Sequence, residues 1–248
     1  MEIPSSDPVA VDTVVAIRRG DLGAVVAALA ERPELALVRI RDGKGATRTL
    51  LHIVTDWPGY FPNGSEVVHL LAAAGADPSA AVTGMWHAET PLHWAASSDD
   101  VEVAAALIEA GADLEATGGS IGGGTPLDDA VGYGCWHVAR LLVERGARVA
   151  GLWQAAALGM TTRVDELMAT NPPPSAEEVD HAFWQACHGG QRRMAEHLLA
   201  LGADIDAVPH HAKRTPLDVA SGPDTRRDAL VSWLRERGAK ATEELTAE

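Results

Sequence analysis

The sequence predicts an all-α fold, a solenoid of stacked antiparallel helix pairs joined by long turn or finger loops. Three observations carry that expectation. A short motif returns in register: TPLHWAA at Thr90–Ala96, TPLDDAV at Thr125–Val131 and TPLDVAS at Thr215–Ser221, with a proline-less version, TLLHIVT, at Thr49–Thr55. Each is followed by a second apolar segment that closes on Gly-Ala, at Gly75, Gly111, Gly146 and Gly238, with a further such closure at Gly202. The Gly75–Gly111 and Gly111–Gly146 intervals are 36 and 35 residues, a period at which one supersecondary unit repeats.

Each part of the motif has a local cause. Thr is a good N-cap, and Pro at the first helical position gives up an N–H that the helix could not have used. The leucine begins a buried stripe, and the small residues after it let a neighbouring helix approach closely. Glycine at the far end accepts the left-handed conformation that closes a helix.

TPLHWAA followed by a helix ending in GAD resembles the ankyrin repeat, and the resemblance covers nearly the whole chain. It implies one ankyrin-repeat domain over residues 1–248, of about seven helix pairs with degenerate caps at both ends. VVAIRRGDLGAVVAALAERP reads as the first, degenerate pair. The segment near 151–182 is irregular: Leu152–Pro172 holds a compact pair without the Thr-Pro cap, and NPPPSAEE leads into a further helix. The Pro172–Pro174 run reads as a rigid spacer rather than a domain linker. At the end, Arg226, Arg227, Asp228, Arg235, Glu236 and Arg237 give the last helix a polar face suited to a cap.

Composition fits thin layers better than a thick core. Hydrophobic residues make up 46% of the chain but aromatics only 4%. The formal net charge of −15 argues against a nucleic-acid backbone as partner and favours partners with basic groups. No apolar run reaches membrane-spanning length, and MEIPSSDPVAVDTVVAIRRGD lacks the regions of a secretory signal. Two cysteines, Cys135 and Cys187, make no disulfide framework, so a cytoplasmic location is expected.

The family resemblance places the binding groove along the first helix of each pair and the turn before it. Counting along those helices assigns Asp56, Trp57, Trp94, Ser97, Ser98, Asp129, Tyr133, Gln154, Gln185 and His188 to it. The second helix pair has five extra residues within TDWPGYFPNGSE, which add Tyr60 beside the groove; the 57–64 loop is expected to close it in part. The long turns before Thr90 and Thr125 add Trp86 and His87, and GGSIGGG. His52 and His93, and Trp153 and Trp184 in the same position, are expected to serve the framework.

The resulting expectation is a binding module that holds a protein segment or peptide in the central groove. The alternative is a small-molecule or catalytic pocket in the same place, using Asp56 and Asp129 beside Trp57, Trp94 and Tyr133. No catalytic motif lies in a credible context: Gly118–Gly122 matches G-x-S-x-G, but in a turn between helical repeats rather than between a strand and a helix. His210 and His211 near Asp204 and Asp206 read as a polar finger rather than metal ligands. No catalytic residue, metal or cofactor is assigned.

Overall fold

The computed structural model describes residues 1–222 and 227–246. They form two compact units, Met1–Arg148 and Val149–Glu248, a division that lies away from the proline run at 172–174.

In the first unit, helices α1 (Pro8–Arg19) and α2 (Leu22–Glu31) make the first pair, α3 (Leu50–Val54) and α4 (Gly64–Ala73) the second. The third is α5 (Pro91–Ser98) with α6 (Val101–Glu109), and the fourth α7 (Pro126–Gly132) with α8 (Trp136–Glu144). Inner helices pack on inner helices (α3 on α5, α5 on α7) and outer on outer, α4 on α6 and α6 on α8. The core is correspondingly thin. Leu92, Ala95 and Ala96 of α5 and Leu127, Ala130 and Val131 of α7 are wholly buried, and so are Val67, Val68 and Leu71 of α4. Each such leucine contributes about 1.5–3 kcal/mol by leaving water. The spacing is tight enough that a Cβ on Gly64 would lie 2.7 Å from Val103 Cγ2.

The all-α expectation needs one correction. Residues Glu2–Pro4 (β1), Arg39–Arg41 (β2) and Thr47–Thr49 (β3) form a small sheet in the order β1-β2-β3, with β1 parallel to β2 and β2 antiparallel to β3. The β2–β3 hairpin turns at Asp42–Gly45, where the Asp42 carboxylate accepts the amides of Lys44 (2.8 Å) and Ala46 (3.0 Å). The next finger joins through a bridge between Thr47 and Thr83, whose hydroxyls are 2.7 Å apart. Arg39 Nη1 donates to the Ala81 carbonyl at 2.8 Å and so ties the two fingers from the side.

In the second and third pairs a histidine locks the inner helix to the following finger. His52 Nδ1 faces the Thr49 amide, a group that can only donate, at 3.2 Å. The ring proton therefore sits on Nε2, which donates to the Glu89 carbonyl at 3.2 Å. His93 repeats this with Thr90 (3.1 Å) and the Gly124 carbonyl (3.2 Å). In the fourth pair Asp128 takes the position and accepts the Thr125 amide at 2.6 Å.

The second unit carries α9 (Leu152–Ala157) with α10 (Thr161–Met168), α11 (Ala176–His188) with α12 (Arg192–Ala200), and α13 (Pro216–Ala220) with α14 (Asp228–Glu236). A short α15 (Thr242–Leu245) follows, and the Thr242 amide and hydroxyl both donate to Asp218. That contact covers the last inner helix at a place where earlier repeats have a finger. Arg226, assigned to the terminal cap, lies outside the described residues. One expected equivalence shifts by a residue: Gly151 is the N-cap of α9, and its amide donates to Gln154 Oε1 at 2.7 Å. Gln154, not Trp153, therefore stands where the histidine stands in α5.

Burial first, and then the neighbouring arginines, push the His52 pKa down from 6.5 to about 3, while the Glu89 carbonyl opposes. The unfolded chain takes up this proton more readily than the folded one. The contribution is complete above about pH 6.5 and is lost as pH falls toward 3. Thermal melts should thus show Tm falling between pH 7 and 4. His52→Gln should cost about 1–3 kcal/mol at pH 7 and flatten that decline; an unchanged slope would show that the ring is not the acid-sensitive group.

Candidate functional site

The inner helices and fingers of the first unit enclose an open cleft of about 420 Å³. Of the residues assigned from sequence, Asp56, Trp57, Trp94, Ser97, Ser98 and Tyr133 line it together. Arg48, Thr55, Met85, Glu89 and Ser120 complete the lining.

Asp56 and Trp57 emerge where α3 stops. The Asp56 carboxylate receives Arg18 at 2.6 Å and Arg48 at 3.5 Å, so its charge is compensated within the protein. Trp57 is 84% exposed, an unusual position for so large an apolar ring. Trp94 is held more firmly. Its indole N–H donates to Glu89 Oε2 at 3.0 Å, and its ring meets His52 edge-on with centroids 5.0 Å apart. The hydroxyls of Ser97 and Ser98 donate back to the carbonyls of His93 (2.9 Å) and Trp94 (3.0 Å), leaving a shallow floor rather than free donors. Tyr133 is 53% exposed, with its hydroxyl 3.1 Å from Ser120 Oγ.

Asp129 does not face the cleft. It is wholly buried, and its carboxylate accepts the Ile121 amide (2.8 Å) and the Ser120 amide (3.4 Å) and hydroxyl (3.2 Å). The carboxylate fastens the glycine-rich finger, and the finger in turn brings Ser120 to the cleft. Burial raises its pKa; the amide of Ile121 works against that rise. The same position therefore reads differently from unit to unit, since Ile53 is also buried while Trp94 is half-exposed.

The 57–64 loop leaves the cleft open. Tyr60 turns away, its amide donating to Asp100 Oδ2 at 2.8 Å and its hydroxyl to the Asp99 carbonyl at 2.6 Å. Asp100 also caps α6 through the Val103 amide, so one carboxylate anchors both loop and helix. Tyr60 consequently belongs to a separate hollow of about 370 Å³, shared with Phe61 and Val101. Trp86, fully exposed, and His87 lie on the preceding finger outside the lining.

Gln154, Gln185 and His188 belong to the second unit, where both glutamines are buried. Gln185 lies 3.3 Å from His181 Nε2 and 3.3 Å from His188 Nδ1. Around them runs an array that the sequence reading missed. Trp153 stacks on His181 (5.7 Å, 12°), and His181 meets His211 edge-on at 4.7 Å. Trp184 contacts His188 and His211, and its indole N–H donates to the Arg214 carbonyl at 2.8 Å, as histidine does between the earlier repeats. Burial lowers the pKa of His181 to about 4, helped by His211 and His210; His188 is lowered to about 4 by burial and then Arg227. Among the described residues, no three His, Cys, Asp or Glu side chains come together as a metal site.

The family model for ankyrin repeats (3 copies) matches residues 60–150, the stretch that holds the third and fourth helix pairs. That stretch of the chain consists of ankyrin repeats. No curated protein matches it at significant similarity. Ankyrin repeats generally mediate interactions between proteins, and no helix of the described residues is long and apolar enough to cross a membrane. Both thiols are free and buried, with burial pushing Cys135 up to about 11.

Glu89 and Arg48 were absent from the sequence assignment, although a signal for them exists. Each immediately precedes the capping threonine of its repeat, as Gly124 and Arg214 do in theirs. Asp129→Ala should leave two amides and a hydroxyl without their acceptor and cost about 1–3 kcal/mol. Hydrogen exchange at Ser120 and Ile121 should accelerate before that at α5; protection unchanged at both would mean that the finger does not depend on this carboxylate.

Proposed function

We infer that the first unit is a binding module that holds a protein segment or peptide in a concave groove, as part of a solenoid of stacked helix pairs. The observation that carries this reading is the set of large apolar side chains left uncovered on one open cleft: Trp57, Tyr133 and Met85 are each at least half exposed around Trp94. Rigid aromatics are the usual anchors of interfaces, and leaving several bare in one place has a cost that binding removes.

Shape favours this reading over the alternative. The cleft volume lies within the range of small-molecule pockets, but such pockets bury most of the ligand, whereas a side chain as exposed as Trp57 forms a rim, not a wall. An extended segment that lays one or two side chains into the cleft fits better. The catalytic version loses its proposed pair: Asp129 is committed to the finger and Asp56 to two arginines.

Immobilised full chain should retain a partner protein from lysate, and Trp57→Ala should weaken that retention by about 2 kcal/mol, roughly 30-fold. Helical circular dichroism should stay unchanged, because Trp57 buries little. Retention of a small molecule alone, or of a protein indifferent to both Trp57→Ala and Trp94→Ala, would sink the groove reading.

A further inference from the structure

The charge around the cleft is one-sided. From Thr49 to His137 and on to Ala139 the chain contains no Lys or Arg, yet it holds twelve Asp and Glu residues. This stretch supplies α3 to α7 and nearly all of the cleft lining; the one cation there, Arg48, comes from just before it. Arg48 and Arg18 both converge on Asp56, so two guanidiniums share one carboxylate and that end of the cleft keeps one net positive charge.

Glu89 is different. It has no ion pair among the described residues, and it lies against the Trp94 indole, with Oε2 accepting the indole N–H. The cleft therefore offers aromatic faces beside one uncompensated carboxylate, inside a wider field of acidic groups. Aromatic faces attract cations through their quadrupoles, and desolvation strengthens the effect. The acidic field raises the local concentration of basic partners and weakens as salt screens it.

Resting on the groove reading above, we propose that the segment it holds is a basic peptide, with a Lys or Arg side chain seated between Trp57, Trp94 and Tyr133 and its charge toward Glu89. An acidic or purely apolar segment would leave Glu89 desolvated without a counter-charge, which is the costly arrangement. Glu89 then sets specificity while the aromatics supply contact area.

The test takes the full chain and a phage-displayed library of random peptides of about twelve residues. Selected peptides should be enriched in Lys or Arg. Made synthetically, they should bind Glu89→Gln and Trp57→Ala about 10-fold or more weakly, about 1.4 kcal/mol. They should bind Glu66→Gln, which removes an exposed acid on α4, as they bind the unaltered chain. The side-chain amide introduced by Glu89→Gln keeps a carbonyl oxygen that can accept the Trp94 indole N–H, so only the charge is removed, and circular dichroism checks that the fold is retained. Affinity should also fall as salt rises from roughly 0.05 to 0.5 M. Peptides that lack basic enrichment but lose binding with Trp57→Ala would overturn the cationic assignment and leave the groove reading standing. A library that yields no peptide sensitive to either Trp57→Ala or Trp94→Ala would overturn both.

Discussion

A buried side chain three residues into the inner helix is the contact on which the repeat architecture turns. In α5 that side chain is His93, which satisfies the start of its own helix with one ring nitrogen and the backbone of the next finger with the other. A capped helix alone would be five to eight residues long, too short to persist in water. Joining its cap to the following unit makes local and long-range structure form together. The imidazole must be neutral for this, because a second ring proton would face an amide N–H rather than an acceptor. Burial enforces that state.

Variations on the contact follow from the same geometry. Asp128 and Gln154 keep the acceptor for the cap but have no second ring nitrogen at the far side. In the second unit the donor to the next turn comes instead from the Trp184 indole. Trp184 and Trp153 are then available to pack on histidines, and the aromatic array around His181 arises from solving a framework problem with larger rings.

Much of the fold was legible because the cap motif and the closing glycine are local signals with one physical meaning each. The β2–β3 hairpin was not, since three-residue strands such as Arg39–Arg41 carry too little alternation to register. Cleft-lining residues were legible where they follow directly on the end of an inner helix, as at Asp56 and Trp57. They were misread where a finger folds back: Asp129 sits under Ser120 and Ile121, and helical counting alone does not see a loop. Tyr60 was misplaced for a related reason, because its partners Asp99 and Asp100 lie about forty residues away in sequence. The one-residue shift at Gln154 arose because the Thr-Pro cap that sets the register elsewhere is missing there, with Gly151 at the cap instead.

The clamp also separates two kinds of information carried by one residue. His52 grips Glu89 only by its carbonyl, which every amino acid has, while the Glu89 side chain points to the cleft. His93 grips Gly124 in the same way, where there is no side chain at all. Position 89 is thus fixed in place by its main chain while its side chain serves the cleft, whereas at Gly124 a Cβ would collide with an Asp128 carboxylate oxygen, so there the joint itself dictates glycine. A stack built like this has an addressable character wherever the joint leaves room for a side chain, so a new partner can be acquired by changing that letter and keeping the grammar.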